Sequence, residues 1–294
     1  GLVWSKETLQ SSGLDPESPP RTWDELTAIS RKILRIEGDV TTRWGAQFTV
    51  GGWNVTASAA MTLAAQRGLP TVDAEGVHLD HPGWVDVIQS LVDLDMMQGG
   101  PAAWNTFTAT LARSQFGAHA QGWATGALGF GSIGPWVAGQ VYTLNPGAHL
   151  GVARLPVQGD SGSLVIAKGW NIAVPADAPH PEEAVAFLRY LMDRGPMEKW
   201  YRHQSSLPAQ LDVLRYISQE VFHELSMPEE RMAFAALAVD VVQAIPPPSP
   251  ISQKLFRELD TVITRSRGGA ANPVAVLAEA DQRLESELAE LRSK

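Results

Sequence analysis

Along most of this chain the apolar positions recur at helical spacing, and only short stretches read as strands. Leu26, Ile29, Ile33 and Ile36 fall on one face of a helix opened by Thr22-Trp23-Asp24-Glu25. That tetrad is a capping box: the Thr22 hydroxyl accepts from the Glu25 amide, and the Glu25 carboxylate accepts from the Thr22 amide. A second helix is predicted over about 55–67, closed by Gly68. Trp84, Val87, Ile88, Leu91 and Leu94 continue the spacing behind Pro82 at a first helical position, and Gly99-Gly100-Pro101 ends that run. Further helices are expected over about 105–121, 181–193, 196–203, 251–266 and 273–292, with Gly195 as punctuation and Asn272 as the N-cap ahead of Pro273. Strands are expected over 44–50, 150–155 and 163–174, with apolar runs at Leu2-Val3-Trp4 and 127–130. Pro246-Pro247-Pro248-Ser249-Pro250 reads as a stiff linker. The pattern is a helix-rich α/β chain with short, separated strands.

Composition narrows the function. At 294 residues and 44% hydrophobic content, the chain exceeds one average domain and can bury a sizeable core. No apolar run reaches the ~18–20 residues needed to cross a bilayer. Thirty-two acidic residues against 23 basic give a net charge of −9, which repels phosphate backbones, so no nucleic-acid partner is expected. Zero cysteines exclude disulfides, thiolate catalysis and cysteine–zinc sites. Gly1 to Lys6 lacks the regions of a signal peptide, and the apolar opening reads as a strand entered midway, in a fragment of a larger protein.

Catalytic patterns are weak. His78-x-x-His81 has no third ligand nearby. Ser161-Gly162-Ser163 lacks the nucleophile-elbow pattern. Gly129-x-Gly131-x-x-Gly134 matches a dinucleotide fingerprint only formally, because Pro135 follows and no βαβ unit surrounds it. No catalytic residue, metal or cofactor is expected.

Six pieces in order carry a resemblance. They are WSKETL (4–9) with GLDP (13–16) and PPRTWDEL (19–26); GALGF (126–130) leading to GPW (134–136); GVARLP (151–156); KGWNIAVP (168–175); PEEAVAFLRYLM (181–192); and SLPA (206–209). Together they resemble the extracellular solute-binding proteins of ABC importers, in the maltose/oligosaccharide-binding family. The resemblance spans the chain but omits the opening strands and helices of the family's first lobe. It implies an α/β fold of the type II periplasmic-binding-protein kind with that lobe incomplete. Residues 1–166 would then be the first part of the second lobe, 167–212 a returning insert of the first lobe, and 213–294 the closing helices of the second. Hinges would fall near 160–168 and 208–220.

The implied function is binding, without catalysis: a monomer holding an oligosaccharide between its lobes and docking, when closed, to membrane permease subunits. The implied place is periplasmic or extracellular, free or lipid-anchored to the cell surface. Three alternatives stay open: the same fold holding a polyol phosphate, a polyamine or a metal-loaded solute; a glycoside hydrolase whose carboxylate pair no spacing defines; and an interaction-only fragment that lost binding with its first lobe.

Sugars offer apolar C–H faces and a rim of hydroxyls, so a binder needs aromatic plates and hydrogen-bonding groups. Trp136 behind Gly134-Pro135, Trp53 behind Gly51-Gly52 and Trp170 behind Gly169 are the candidate plates. Gly169 allows close backbone approach to ligand, Asn171 could meet hydroxyls, and Arg202 could donate to hydroxyls or pair with a ligand carboxylate. Trp23, Trp84 and Trp200 sit on helical stripes and are expected in the core, while Trp104 and Trp123 read as core or lobe surface. Maltose binders often carry a stacking Trp in the helix after the linker, where this chain has Leu255.

Overall fold

The first strand pairs on both sides with strands that come much later in the chain. The computed structural model describes residues 1–49, 55–111, 115–158, 172–240, 249–269 and 271–293. In chain order these form β1 (Leu2–Ser5), α1 (Lys6–Ser11), α2 (Trp23–Ile33), β2 (Arg35–Glu37), β3 (Val40–Gln47), α3 (Val55–Gln66), α4 (Pro82–Met96), α5 (Gly100–Thr110) and α6 (Ala118–Ala124). Next come β4 (Leu128–Ser132), α7 (Trp136–Leu144), β5 (Leu150–Ala153), α8 (Pro181–Leu191), α9 (Arg194–Gln204) and α10 (Leu211–Tyr216). A π-helical turn (Ile217–Val221) leads towards α11 (Pro228–Asp240), α12 (Ser252–Ser266) and α13 (Pro273–Arg292).

The sheet runs β2-β3-β4-β1-β5. β1 is antiparallel to both β4 and β5, and β3 is parallel to β4. Side chains alternate along a strand, so β1 sends Leu2 and Trp4 to one core and Val3 to another. The first core joins β1 to α2, α3, α4, α12 and α13 through Leu26, Leu63, Trp84, Leu91, Leu259 and Leu284. The second joins it to α5, α6, α7 and α11 through Trp104, Trp123, Val141 and Phe234. A third cluster, around Tyr201, Leu214, Ile217 and Phe222, ties α9 to α10 and the π-helical turn. This helix-covered mixed sheet agrees with the helix-rich α/β class expected from the sequence.

Two side-chain placements set the sheet. Gln98, just past α4, accepts from the amides of Gly45 (2.8 Å) and Ala46 (2.9 Å) and donates to the Ala46 carbonyl (2.7 Å). The Trp4 ring lies against Gly151 on β5, where a β-carbon would stand 1.9 Å from a ring atom, so only glycine fits opposite it.

Local signals held where their partners are close in sequence. The Thr22–Glu25 capping box forms as expected, and Asn272 caps α13 by accepting from the Val274 amide. Other expectations need correction. Helix α2 ends at Ile33, and Ile36 leaves the apolar face to stand exposed in β2, because Gly38 turns the chain back into β3 at φ 61°. The strand expected over 44–50 begins earlier, at Val40, and ends at Gln47. The single helix expected over 105–121 is two, α5 and α6, and Leu111 at the end of α5 is already extended. Gly195 lies inside α9, which starts at Arg194. Most of the strand expected over 163–174 falls outside the described residues.

Candidate functional site

Tryptophan sorts itself by hydrogen bonding and burial. Trp4, Trp44, Trp84 and Trp123 are buried and donate from Nε1, each at 2.9 Å, to the carbonyls of Pro16, Ala46, Pro70 and Gly129. Trp23 meets the Phe48 ring edge-on at 5.4 Å, and Trp104 meets Trp44 edge-on at 5.0 Å. These six are core. Among the described residues the exposed tryptophans are Trp136, 39% exposed, and Trp200, 50% exposed. The expected core placement of Trp200 is therefore corrected: α9 turns Tyr201 inward, and its neighbour on the helix points away.

Trp136 is the first residue of α7 and follows Gly134-Pro135, with Pro135 at φ −65°. The helix behind it is fixed, since Val137, Ala138 and Val141 are fully buried in the second core. Its ring folds back over Gly134. Its Nε1–H has no protein acceptor among the described residues, unlike the four core indoles above. It is a half-exposed indole on an anchored helix end, its donor unpaired among the described residues.

Trp53, Gly169, Trp170 and Asn171 lie outside the described residues. Arg202 is described, and it is engaged with protein carboxylates. Its Nε donates to Glu198 at 2.9 Å and its Nη2 to Glu224 at 2.7 Å. Glu198 also accepts from the Tyr216 hydroxyl at 3.0 Å. The hydrogen bond from Arg202 holds the Glu198 carboxyl below its usual range, and Glu224 and Glu198 raise the guanidinium in turn.

One charged residue had no sequence signal. Arg231 on α11 is buried, donating Nε to the Ser226 carbonyl (2.7 Å) and Nη1 to the Ser205 hydroxyl (2.8 Å). It joins the end of α9 to the start of α11, beside Gly139 of α7. Its partners lie at sequence separations that no periodicity reveals.

The histidine pair is not arranged as metal ligands. His78 Nε2 lies 2.9 Å from Asp73 Oδ1, a contact that raises the imidazole pKa, while His81 Nδ1 accepts from the Gly83 amide and caps α4. Among the described residues no group of three or more His, Cys, Asp or Glu is placed to hold a metal. No described helix is long and apolar enough to cross a membrane.

Helix α8 stands apart. None of its residues is buried, and Val185, Phe187 and Tyr190 are exposed, as is Ile172 before it. The Phe187 and Tyr190 rings stack on each other at 6.4 Å. An isolated helix of this length is marginal in water, so its apolar side calls for a covering surface.

Comparison with known proteins agrees with this architecture. Residues 1–198 match the family model described as bacterial extracellular solute-binding protein. A probable ABC transporter-binding protein from Deinococcus radiodurans is 27% identical over 196 residues, 65% of this chain but only 44% of that one. The sn-glycerol-3-phosphate-binding periplasmic protein UgpB of Yersinia pestis is 32% identical over 95 residues, 32% of this chain and 21% of that one. Among solved structures, an ABC-transporter solute-binding protein from Thermotoga lettingae bound with α-D-tagatose superposes with a TM-score of 0.73 at 21% identity. It covers 98% of this chain and 69% of its own. The mannobiose-bound CpMnBP1 gives 0.76 at 17% identity, covering 97% and 69%. The sugar-binding protein MalE of Xanthomonas citri gives 0.71 at 17%, covering 99% and 69%. The chain thus spans less than half the length of its Deinococcus relative and leaves close to a third of each of these structures unmatched. The family match covers well over half of the chain: it belongs to the bacterial extracellular solute-binding protein family, whose members work in the periplasm or outside the cell.

Proposed function

We propose that this chain is the larger part of a carbohydrate-binding component of an ABC importer, with Trp136 as one plate of the sugar site. The observation that carries the reading is Trp136 itself, a half-exposed indole with a free donor on a helix end anchored in the core. A pyranose stacks its C–H face on such a ring while its hydroxyls take the N–H. Trp53, Gly169, Trp170 and Asn171 are proposed to line the same cleft. Arg202 is proposed to border it, with its two carboxylate partners limiting what it can offer a ligand.

In this reading, residues 1–166 and 213–294 make the second lobe, and 167–212 return as a piece of the first. The uncovered face of α8 then packs against the rest of that first lobe; the share of each solved neighbour that this chain leaves unmatched supports a missing part of that size. The working unit is a monomer that closes on its sugar and docks to permease subunits, in the periplasm or lipid-anchored at the cell surface. It binds no nucleic acid, in keeping with its net charge of −9.

The test is a tryptophan-fluorescence titration with D-tagatose, mannobiose and maltotriose. A saturable change whose affinity Trp136→Ala weakens supports the reading; a sugar affinity that Trp136→Ala leaves unchanged removes Trp136 from the site. The UgpB similarity favours a second reading, a polyol phosphate as ligand. Saturation by glycerol 3-phosphate with silence towards the three sugars would select it.

A further inference from the structure

We infer that Gly134 is a positioning residue for the sugar site: the absence of its β-carbon is the seat on which the Trp136 ring rests. A β-carbon at Gly134 would find three atoms of the Trp136 ring as its nearest neighbours, at 2.0, 2.4 and 2.7 Å. No real β-carbon contact is that short, so any side chain at 134 must move the ring. Gly134 is not in the left-handed region that favours glycine, and the three atoms nearest to a β-carbon there all belong to the indole.

The rest of the setting makes the seat matter. Pro135 fixes the chain direction between seat and ring, and Val137, Ala138 and Val141 hold α7 in the core. The helix cannot move to relieve a clash at 134, so the ring must leave its rotamer. One ring face is occupied by the Gly134 backbone, so a ligand meets only the other. Trp136 is therefore a one-sided plate that takes a single sugar face. Losing the seat turns a pre-set plate into a mobile side chain, and ordering it again on binding costs affinity.

The inference deepens the carbohydrate reading, and its test has one arm that does not depend on that reading. In the first arm, the emission of Trp136 is isolated as wild type minus Trp136→Phe, and again as Gly134→Ala minus Gly134→Ala/Trp136→Phe. The isolated emission is expected to shift to the red and to become more accessible to acrylamide in the Gly134→Ala background, with the thermal midpoint unchanged. An unchanged isolated spectrum overturns the inference, whether or not any sugar binds.

The second arm is a double-mutant cycle in the affinity for whichever of D-tagatose, mannobiose and maltotriose the wild type binds. Gly134→Ala alone is expected to weaken binding about tenfold, a loss of the size of a ring-stacking contact. The same substitution on top of Trp136→Ala is expected to cost nothing more. Additive losses would mean that Gly134 acts elsewhere than through the ring. If no sugar binds, the carbohydrate reading fails while the emission arm still decides the role of Gly134.

Discussion

Arg267, in the turn after α12, donates its Nε to Asp95 Oδ2 near the end of α4 at 2.8 Å, with the two side chains only 9% and 1% exposed. The bond ties the closing helices to the first core across 172 residues of sequence. Removing one partner leaves the other charge buried and uncompensated, which costs far more than an intact pair contributes. Asp95→Asn is expected to destabilise the fold by about 3–5 kcal/mol, read as a lower urea midpoint at unchanged slope. A loss under about 1 kcal/mol, the range of surface pairs, would show that water reaches Arg267.

His119 gives the fold an acid limit. It lies between Trp104 (6.1 Å) and Trp123 (5.6 Å), and burial pushes its pKa down to about 4 from the usual 6.5. The unfolded chain therefore takes up a proton near pH 6.5 that the folded chain refuses until about pH 4. Stability from this group is intact above pH 6.5 and falls as the pH drops through that window, by about 3 kcal/mol in all. Urea titrations from pH 7 to 4 should show that slope in the wild type and lose it in His119→Phe. An imidazole that titrates near 6.5 by NMR would sink the account.

The open side of α8 should be sticky. Phe187 and Tyr190, 58% and 57% exposed, give an apolar dye a place to bind and a second molecule a place to associate. The double substitution Phe187→Glu/Tyr190→Glu is expected to lower dye fluorescence and concentration-dependent association with little change in melting temperature. A large fall in melting temperature would mean that α8 is already packed in this chain.

Gln98 is a small clamp with a measurable share of stability. Gln98→Leu keeps the bulk but strips three hydrogen bonds from Gly45 and Ala46. A loss of about 2–4 kcal/mol is expected, as backbone groups of a buried strand lose their partners. Faster amide exchange at Gly45 and Ala46 would locate the loss in β3.

What the sequence shows well is what neighbours decide. Thr22 and Glu25 are three residues apart, as a capping box requires, and Asn272 caps two residues ahead. Gln98 cannot be read this way, because its partners are 52 and 53 residues upstream and an isolated glutamine carries no pattern. Ile36 misled because helical spacing continued by chance across a turn that Gly38 makes. Trp200 misled because a tryptophan beside an apolar stripe looks like part of it, and a single step of about 100° around the helix decides the matter. Among the candidate site residues, the exposed position of Trp136 was legible through its Gly-Pro prefix, whereas the carboxylates that engage Arg202 include Glu224, 22 residues away on another element.

The place of β1 in the sheet sets a timetable for synthesis. Both its neighbours lie more than 120 residues downstream, with β5 ending at Ala153. At about 5–20 residues per second, the ribosome takes roughly 7–30 s to deliver the second partner. Through that interval Leu2, Val3 and Trp4 lack both of these sheet partners and remain a ready target for chaperones or for a neighbouring nascent chain. A non-local pairing of this kind also slows refolding. The order of strands along the chain, and not the stability of the finished sheet, thus sets how long β1 must wait for both of its neighbours.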